Sequence, residues 1–184
     1  FSRDFTLEVI SGNFTLSYAH QDELQELVDI VSSSSRTATL ILGKPGVGKT
    51  TLLKDLALRM VVEDVPDVIK DMRFVGFDFN RAYALAANEQ KFKAIVEQVI
   101  EEVIRAKNII MVIDDIDEFA GVRKELSAEV VNLITDAMDR GDIRIVATST
   151  LEGYSQHIKP YKAFVSLFST ITVNEPSDEL AAQI

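Results

Sequence analysis

Apolar and polar positions along this chain fall into two alternating rhythms. Around "HQDELQELVDIV", Leu24, Leu27, Val28 and Val31 recur at helical spacing, which predicts an amphipathic helix. "TATLIL" (Thr37–Leu42) comes next as an apolar run of strand length. "TTLLKDLALRMV" returns to helical spacing, with Leu52, Leu53, Leu56 and Met60 on one side. Further strands are predicted over Met72–Phe79, Asn108–Asp114, Ile143–Thr150 and Ser169–Val173. Helices are predicted over Glu89–Lys107 and Lys124–Gly141, the second closed by Gly141 as C-cap. "PSDELAAQI" starts one more, with Ser177 as N-cap. The serine run Ser32–Ser35, closed by Arg36, reads as a solvated turn. Strands alternating with helices predict an α/β fold, a parallel sheet covered on both faces.

Composition narrows the class without naming a chemistry. A chain of 184 residues suits one domain with a substantial core. Without cysteine it has neither a disulfide framework nor a zinc–thiolate site, which fits a cytoplasmic location. The opening "FSRDFTLEVISG" has no basic start and no signal core. No apolar run approaches the roughly 20 residues of a membrane span. The net charge of −10 repels nucleic acid and anionic membranes on average, so neither is an expected partner.

One loop changes the picture. Gly43-Lys44-Pro45-Gly46-Val47-Gly48-Lys49-Thr50, followed by Thr51, matches G-x-x-x-x-G-K-[ST] between a strand and a helix. The glycines let backbone N–H groups approach phosphate oxygens, and the helix points its positive end at the same place. In that motif Lys49 reaches the β and γ phosphates and the Thr50 hydroxyl ligates Mg²⁺. The expected cofactors are therefore ATP or ADP with Mg²⁺.

A second element meets the first. "IIMVIDDIDE" is a buried strand that ends in acids. Asp114 sits where such a strand holds Mg²⁺ and its waters. Asp115 sits where many ATPases carry the base that polarises water. Asp117 and Glu118 read as solvated caps of the next segment, either of which could be recruited as a substitute base. His20 and His157 lack companions at metal-ligand spacing and read as surface residues.

With both motifs in place, the chain resembles the first AAA+ ring domain of the Clp-type unfoldases, the ClpA/ClpB/ClpC group. The likeness rests on "LILGKPGVGKTTLLKDLALRMVVEDVPDVIKDMRFVGFDF", "TSTLEGYSQHI" against T-T-L-x-E-Y, the closing "VNEPSDE", and the leading "FSRDFTLEVISGNF". It spans nearly all 184 residues. It implies five parallel strands in the order 5-1-4-3-2, with residues 1–184 forming the large α/β subdomain and the chain stopping where a helical lid would begin. It implies ATP as ligand, and other AAA+ subunits as partners, in a hexamer by analogy. A protein substrate or adaptor is implied too. Residue by residue, Lys49, Thr50 and Asp114 match the phosphate and metal residues. Thr150 falls at the sensor threonine. Ser17, Tyr18 and Ala19 lie where the family covers the adenine.

Three departures from the family pattern stand beside these matches. Its catalytic Glu is Asp115 here, one methylene shorter. Its paired arginines before strand five are Ser166 and Leu167, with Lys159 and Lys162 nearby as point charges only. Its pore aromatic is replaced by Ala87 and Asn88, and Tyr83 upstream reads as structural. Two functions are expected. One is slow ATP hydrolysis within a protein-remodelling machine, with Lys49, Asp115 and Thr150 as catalytic residues. The other is a nucleotide-binding structural or regulatory module with little turnover. Signalling ATPases of the STAND type share the loop and the Asp-Asp strand end, but the Val-Pro connection and the Glu-Pro-Ser ending favour the Clp group.

Overall fold

The computed structural model describes residues 2–12, 16–17, 19–33, 38–122 and 124–175. Tyr18 and Ser177 lie outside the described residues, as do 34–36 of the serine run. In chain order the elements are β1 (Ser2–Asp4), α1 (Phe5–Ser11), α2 (Gln21–Ser32), β2 (Ala38–Gly43), α3 (Lys49–Val61), α4 (Asp67–Lys70), β3 (Arg73–Phe77), α5 (Phe79–Leu85), α6 (Glu89–Ala106), β4 (Ile109–Ile113), α7 (Ile116–Val122), α8 (Lys124–Asp139), β5 (Arg144–Ser149), α9 (Leu151–Gly153), a π-helical turn over Tyr154–Ile158, α10 (Lys162–Ser166) and β6 (Phe168–Val173).

The sheet order is β1-β3-β4-β5-β2-β6. Its five parallel strands stand in the expected order. The sixth is a correction: β1 pairs antiparallel with β3, Arg3 opposite Gly76, so the sheet is mixed rather than purely parallel. "SRD" carries no apolar rhythm that would reveal a strand. The start of α1 holds it in place, because Phe5 is buried against Phe74 with ring centroids 5.7 Å apart. Asp4 then accepts from Leu7 N at 3.0 Å and caps α1. The short strand also closes an edge that would otherwise be open to pairing.

The central strands are apolar on both faces, as a doubly covered sheet requires. Alternation assigns each face. In β4, Met111 and Ile113 pack among α5, α6, α7 and α8, with Phe92, Phe119, Val130 and Ile134. Ile110 and Val112 face α1, α2 and α3, with Leu27, Leu52, Leu53 and Leu56. The next residue in that second rhythm is Asp114, so its carboxylate emerges on the α3 face. In β5, Val146 belongs to the same face and Thr148 is the next residue on it.

Local chemistry fixes the helix ends. Asn88 accepts from Lys91 N at 2.8 Å and starts α6. Gly141, at φ 72, closes α8 through its N–H to Met138 O at 2.9 Å. Tyr83 stands edge-on to Phe92, centroids 5.3 Å apart, on the outside of the first layer.

Candidate nucleotide and metal site

The loop after β2 turns back over the start of α3. Gly46 has φ 76 and Gly48 has φ 110, left-handed conformations that side chains rarely adopt. Lys49 is buried, and its Nζ donates to Gly43 O at 3.0 Å and Lys44 O at 3.2 Å. The ammonium therefore sits inside the loop, held by carbonyl dipoles. Lys44 points the other way, to the exposed Glu175 at 3.0 Å. Pro45 and Val47 complete the loop, with Val47 buried against the α1–α3 core. Thr51 comes after Thr50 in the first turn of α3.

The Thr50 hydroxyl donates to Asp114 Oδ2 at 3.2 Å. Asp114 Oδ1 accepts from Thr148 Oγ1 at 2.6 Å, and that same hydroxyl oxygen accepts from Asp115 N at 2.8 Å. Thr148 thus ties both acids to β5. The motifs do not select it, although the β5 alternation places it on the α3 face. Among the described residues no three His, Asp or Glu side chains converge as a metal cage. One carboxylate plus one hydroxyl is a donor set that suits Mg²⁺, which commonly takes phosphate oxygens and waters for its remaining ligands.

Asp115 lies just past β4 with φ 51. Asp tolerates that left-handed conformation better than most side chains. Burial is the main cause pushing its carboxyl above the ordinary value of 3.8, the neighbouring Asp114 adds to this, and Lys49 opposes it. A cleft of about 970 Å³ reaches Asp114 and Asp115 from the β1 side of the sheet, past Arg3 and Asn80.

Thr150 is engaged elsewhere. Its hydroxyl donates to Asp117 Oδ2 at 2.8 Å and accepts from Gly153 N at 2.9 Å, capping α9. Asp117 corrects the solvated reading: it is buried, and its Oδ1 has no partner. The first turn of α7 folds it under the end of β5, where Gly153 leaves room that a Cβ would fill. Glu118 is exposed, as its solvated reading expects.

The segment before α2 is tied to the phosphate loop. The buried Asp55 of α3 accepts from Ser17 N at 3.0 Å. Burial raises its pKa, while the Ser17 N–H and His20 pull the other way. Ala19 N donates to Ser17 Oγ at 3.3 Å. His20 is a third correction. It is buried, not on the surface, with Nε2 at 2.9 Å from Val47 O and Nδ1 at 3.7 Å from Glu23. His157 is half-buried, its ring packed beside Gly121.

At one of the departures from the family pattern, Ser166 ends α10 with its hydroxyl on Ala163 O at 2.7 Å, and Leu167 stands next as C-cap. Lys159 and Lys162 are exposed. Leu85, the last residue of α5, and Ala87 and Asn88 in the loop after it lie at the surface. Among the described residues no helix is long and apolar enough to cross a membrane.

Comparison with known proteins gives the family and the fold. Residues 39–170 match the family described as "ATPase family associated with various cellular activities (AAA)". A ClpA homologue of Guillardia theta, an ATP-binding subunit of the ATP-dependent Clp protease, is 29% identical over the whole of this chain and 23% of its own length. The chaperone protein ClpB of Mesorhizobium japonicum is 31% identical over 97% of this chain and 21% of its own. The Hsp104–ADP complex of S. cerevisiae shares the fold across the whole chain, with a TM-score of 0.88 at 23% identity and 31% of its own length covered. The chain thus spans under a quarter of the length of these curated relatives. It belongs to the AAA family of ATPases, as a domain of the Clp type.

Proposed function

We propose that this domain binds Mg-ATP through Gly43–Thr51 and hydrolyses it slowly, as one part of a protein-remodelling machine. The observation that carries the reading is the Thr50–Asp114 pair, 3.2 Å apart beside the buried Lys49. It joins the loop's helix end to the acidic strand end in the arrangement that a metal-bound triphosphate needs. Bound Mg²⁺ would neutralise charge developing on the phosphates. Thr50 and Asp114 would hold it. Lys49 would leave the loop carbonyls to pair with phosphate oxygens. Asp115 would accept a proton from an attacking water. Ser17 and Ala19 would lie against the base. Thr150 would act on the same centre only after leaving Asp117.

A second reading is favoured by Ser166 and Leu167 standing where relatives of this type place arginines. An arginine finger contributes roughly 10³- to 10⁵-fold to turnover in other NTPases. A nucleotide-binding module with little turnover is therefore the alternative. Association with other AAA+ subunits and action on a protein substrate are proposals that rest on the relatives. One solved Hsp104 neighbour is described with ATPγS and FITC casein. Steady-state ATP hydrolysis by the full-length protein separates the two readings. Mg²⁺-dependent turnover that Asp114→Asn removes supports the first. A protein that binds Mg-ATP and releases no phosphate supports the second.

A further inference from the structure

We infer that His20 is a positioning residue for the phosphate loop, and that it couples the base-side segment to the phosphate side of the site. His20 stands at the N-cap position of α2, yet its side chain makes no capping bond. Instead the ring crosses to the loop, where Nε2–H donates to Val47 O at 2.9 Å. A peptide plane is rigid and, with no cis bonds here, trans. The Val47 C=O and the Gly48 N–H belong to one such plane and point in opposite directions. Holding the carbonyl toward His20 therefore turns the Gly48 N–H away from the ring.

That amide is the donor a phosphate oxygen would use, and among the described residues no acceptor answers it. Gly48 has φ 110, a conformation with no side-chain preference to fix it. The loop therefore needs an outside restraint, and His20 supplies it by hydrogen bond and by contact. A Cβ on Gly48 would lie 3.1 Å from His20 Nε2, so the ring seals the outer side of the loop. The ring is itself fixed. It is buried, and Glu23 lies 3.7 Å from Nδ1.

The coupling arises from the chain just before the ring. His20 directly succeeds Ala19, whose N–H bonds Ser17 Oγ, while Ser17 N bonds Asp55 on the phosphate-loop helix. A base that contacts Ser17 and Ala19 thereby bears on the ring that sets the Gly48 amide. This inference rests on the proposed nucleotide site, and its test separates the two.

The experiment compares wild type, His20→Ala and His20→Gln. It reads the Gly48 backbone amide signal by NMR in the nucleotide-free protein and the affinity for Mg-ADP by calorimetry. The Ala variant should move the Gly48 signal and weaken ADP by about 2- to 12-fold, the worth of one hydrogen bond. Gln places an N–H donor at a similar reach and should restore both. An unmoved Gly48 signal, an unchanged ADP affinity, or a Gln variant that stays at the Ala level overturns the inference, whatever happens to the melting temperature. A wild type that binds no ADP overturns the site reading instead, and the Gly48 signal then still decides whether His20 sets the loop.

Discussion

Thr148 Oγ1 stands 2.6 Å from Asp114 Oδ1 and receives the Asp115 N–H at 2.8 Å, so one hydroxyl positions two consecutive acids. Thr148 is fully buried. Thr148→Val keeps the volume and the β-branch but leaves a carboxylate oxygen and an amide without partners. Each such loss costs about 1–3 kcal/mol when buried. For a chain of this size each kcal/mol lowers the melting temperature by about 2–4 °C. The expected result is a melting point several degrees lower, with turnover reduced about tenfold or more as Asp114 and Asp115 lose their shared anchor. Calorimetric melting and a phosphate-release assay check it. A variant as stable and as active as wild type would show that Thr148 is a bystander.

Asp115→Glu tests the short side chain. Glu regains the missing methylene, so turnover should rise if reach limits hydrolysis. The backbone there is left-handed, φ 51, which Asp accommodates better than Glu. A stability loss of up to about 1–2 kcal/mol should accompany the gain. Turnover at the wild-type level would move the limitation to Ser166 and Leu167.

Asp115→Asn tests the cost of the acid. Burial and Asp114 raise its pKa in the folded state above the unfolded value. The folded state then holds a proton that the unfolded state releases, so this group's contribution falls as pH rises through that window. Above the folded pKa the ionised Asp115 opposes folding. Below the ordinary value near 3.8 the effect vanishes. The Asn variant should therefore melt higher than wild type at pH 7, match it in acid, and lose hydrolysis at both. Melting curves across pH give the comparison, and equal melting points at pH 7 would contradict the burial argument.

Much of this architecture is legible in the residues. The five parallel strands are marked by apolar runs, two of which end at Gly43 and Asp114, and the loop between β2 and α3 announces itself by its glycines. β1 escapes because three polar residues have no apolar period, and its place is decided by Phe5 packing on Phe74, far apart in sequence. Asp117 escapes because a polar residue after an acidic strand end reads as solvated. Its burial depends on the absent side chain of Gly153, a long-range coincidence that pattern reasoning cannot see. His20 hides for the same reason, since its partner is a backbone carbonyl 27 residues away. Thr148 is within reach of the alternation in β5, but the family motif marks only Thr150 at that strand end.

Gly153→Ala should be among the most damaging small substitutions. Its Cβ would overlap the Asp117 carboxylate, which is packed in a buried site. A loss of about 2–4 kcal/mol is expected, from overpacking and from breaking the Thr150–Asp117 bond. Asp117→Ala combined with Gly153→Ala should recover most of it, because the two positions compete for one volume. A double-mutant cycle by urea denaturation measures the coupling. Strictly additive losses would show that the two side chains do not share that space.

Under the proposed function, Lys49, Thr50 and Asp114 together hold a Mg-nucleotide. Titration calorimetry of the protein with ADP and ATP in Mg²⁺, beside Lys49→Ala, tests it directly. Lys49 is the cation buried inside the loop, and no other described residue there carries a comparable charge into it. The account predicts saturable binding of both nucleotides by the wild type and none measurable by the variant. A wild-type protein that takes up neither nucleotide, or a variant that binds as tightly as wild type, would contradict it.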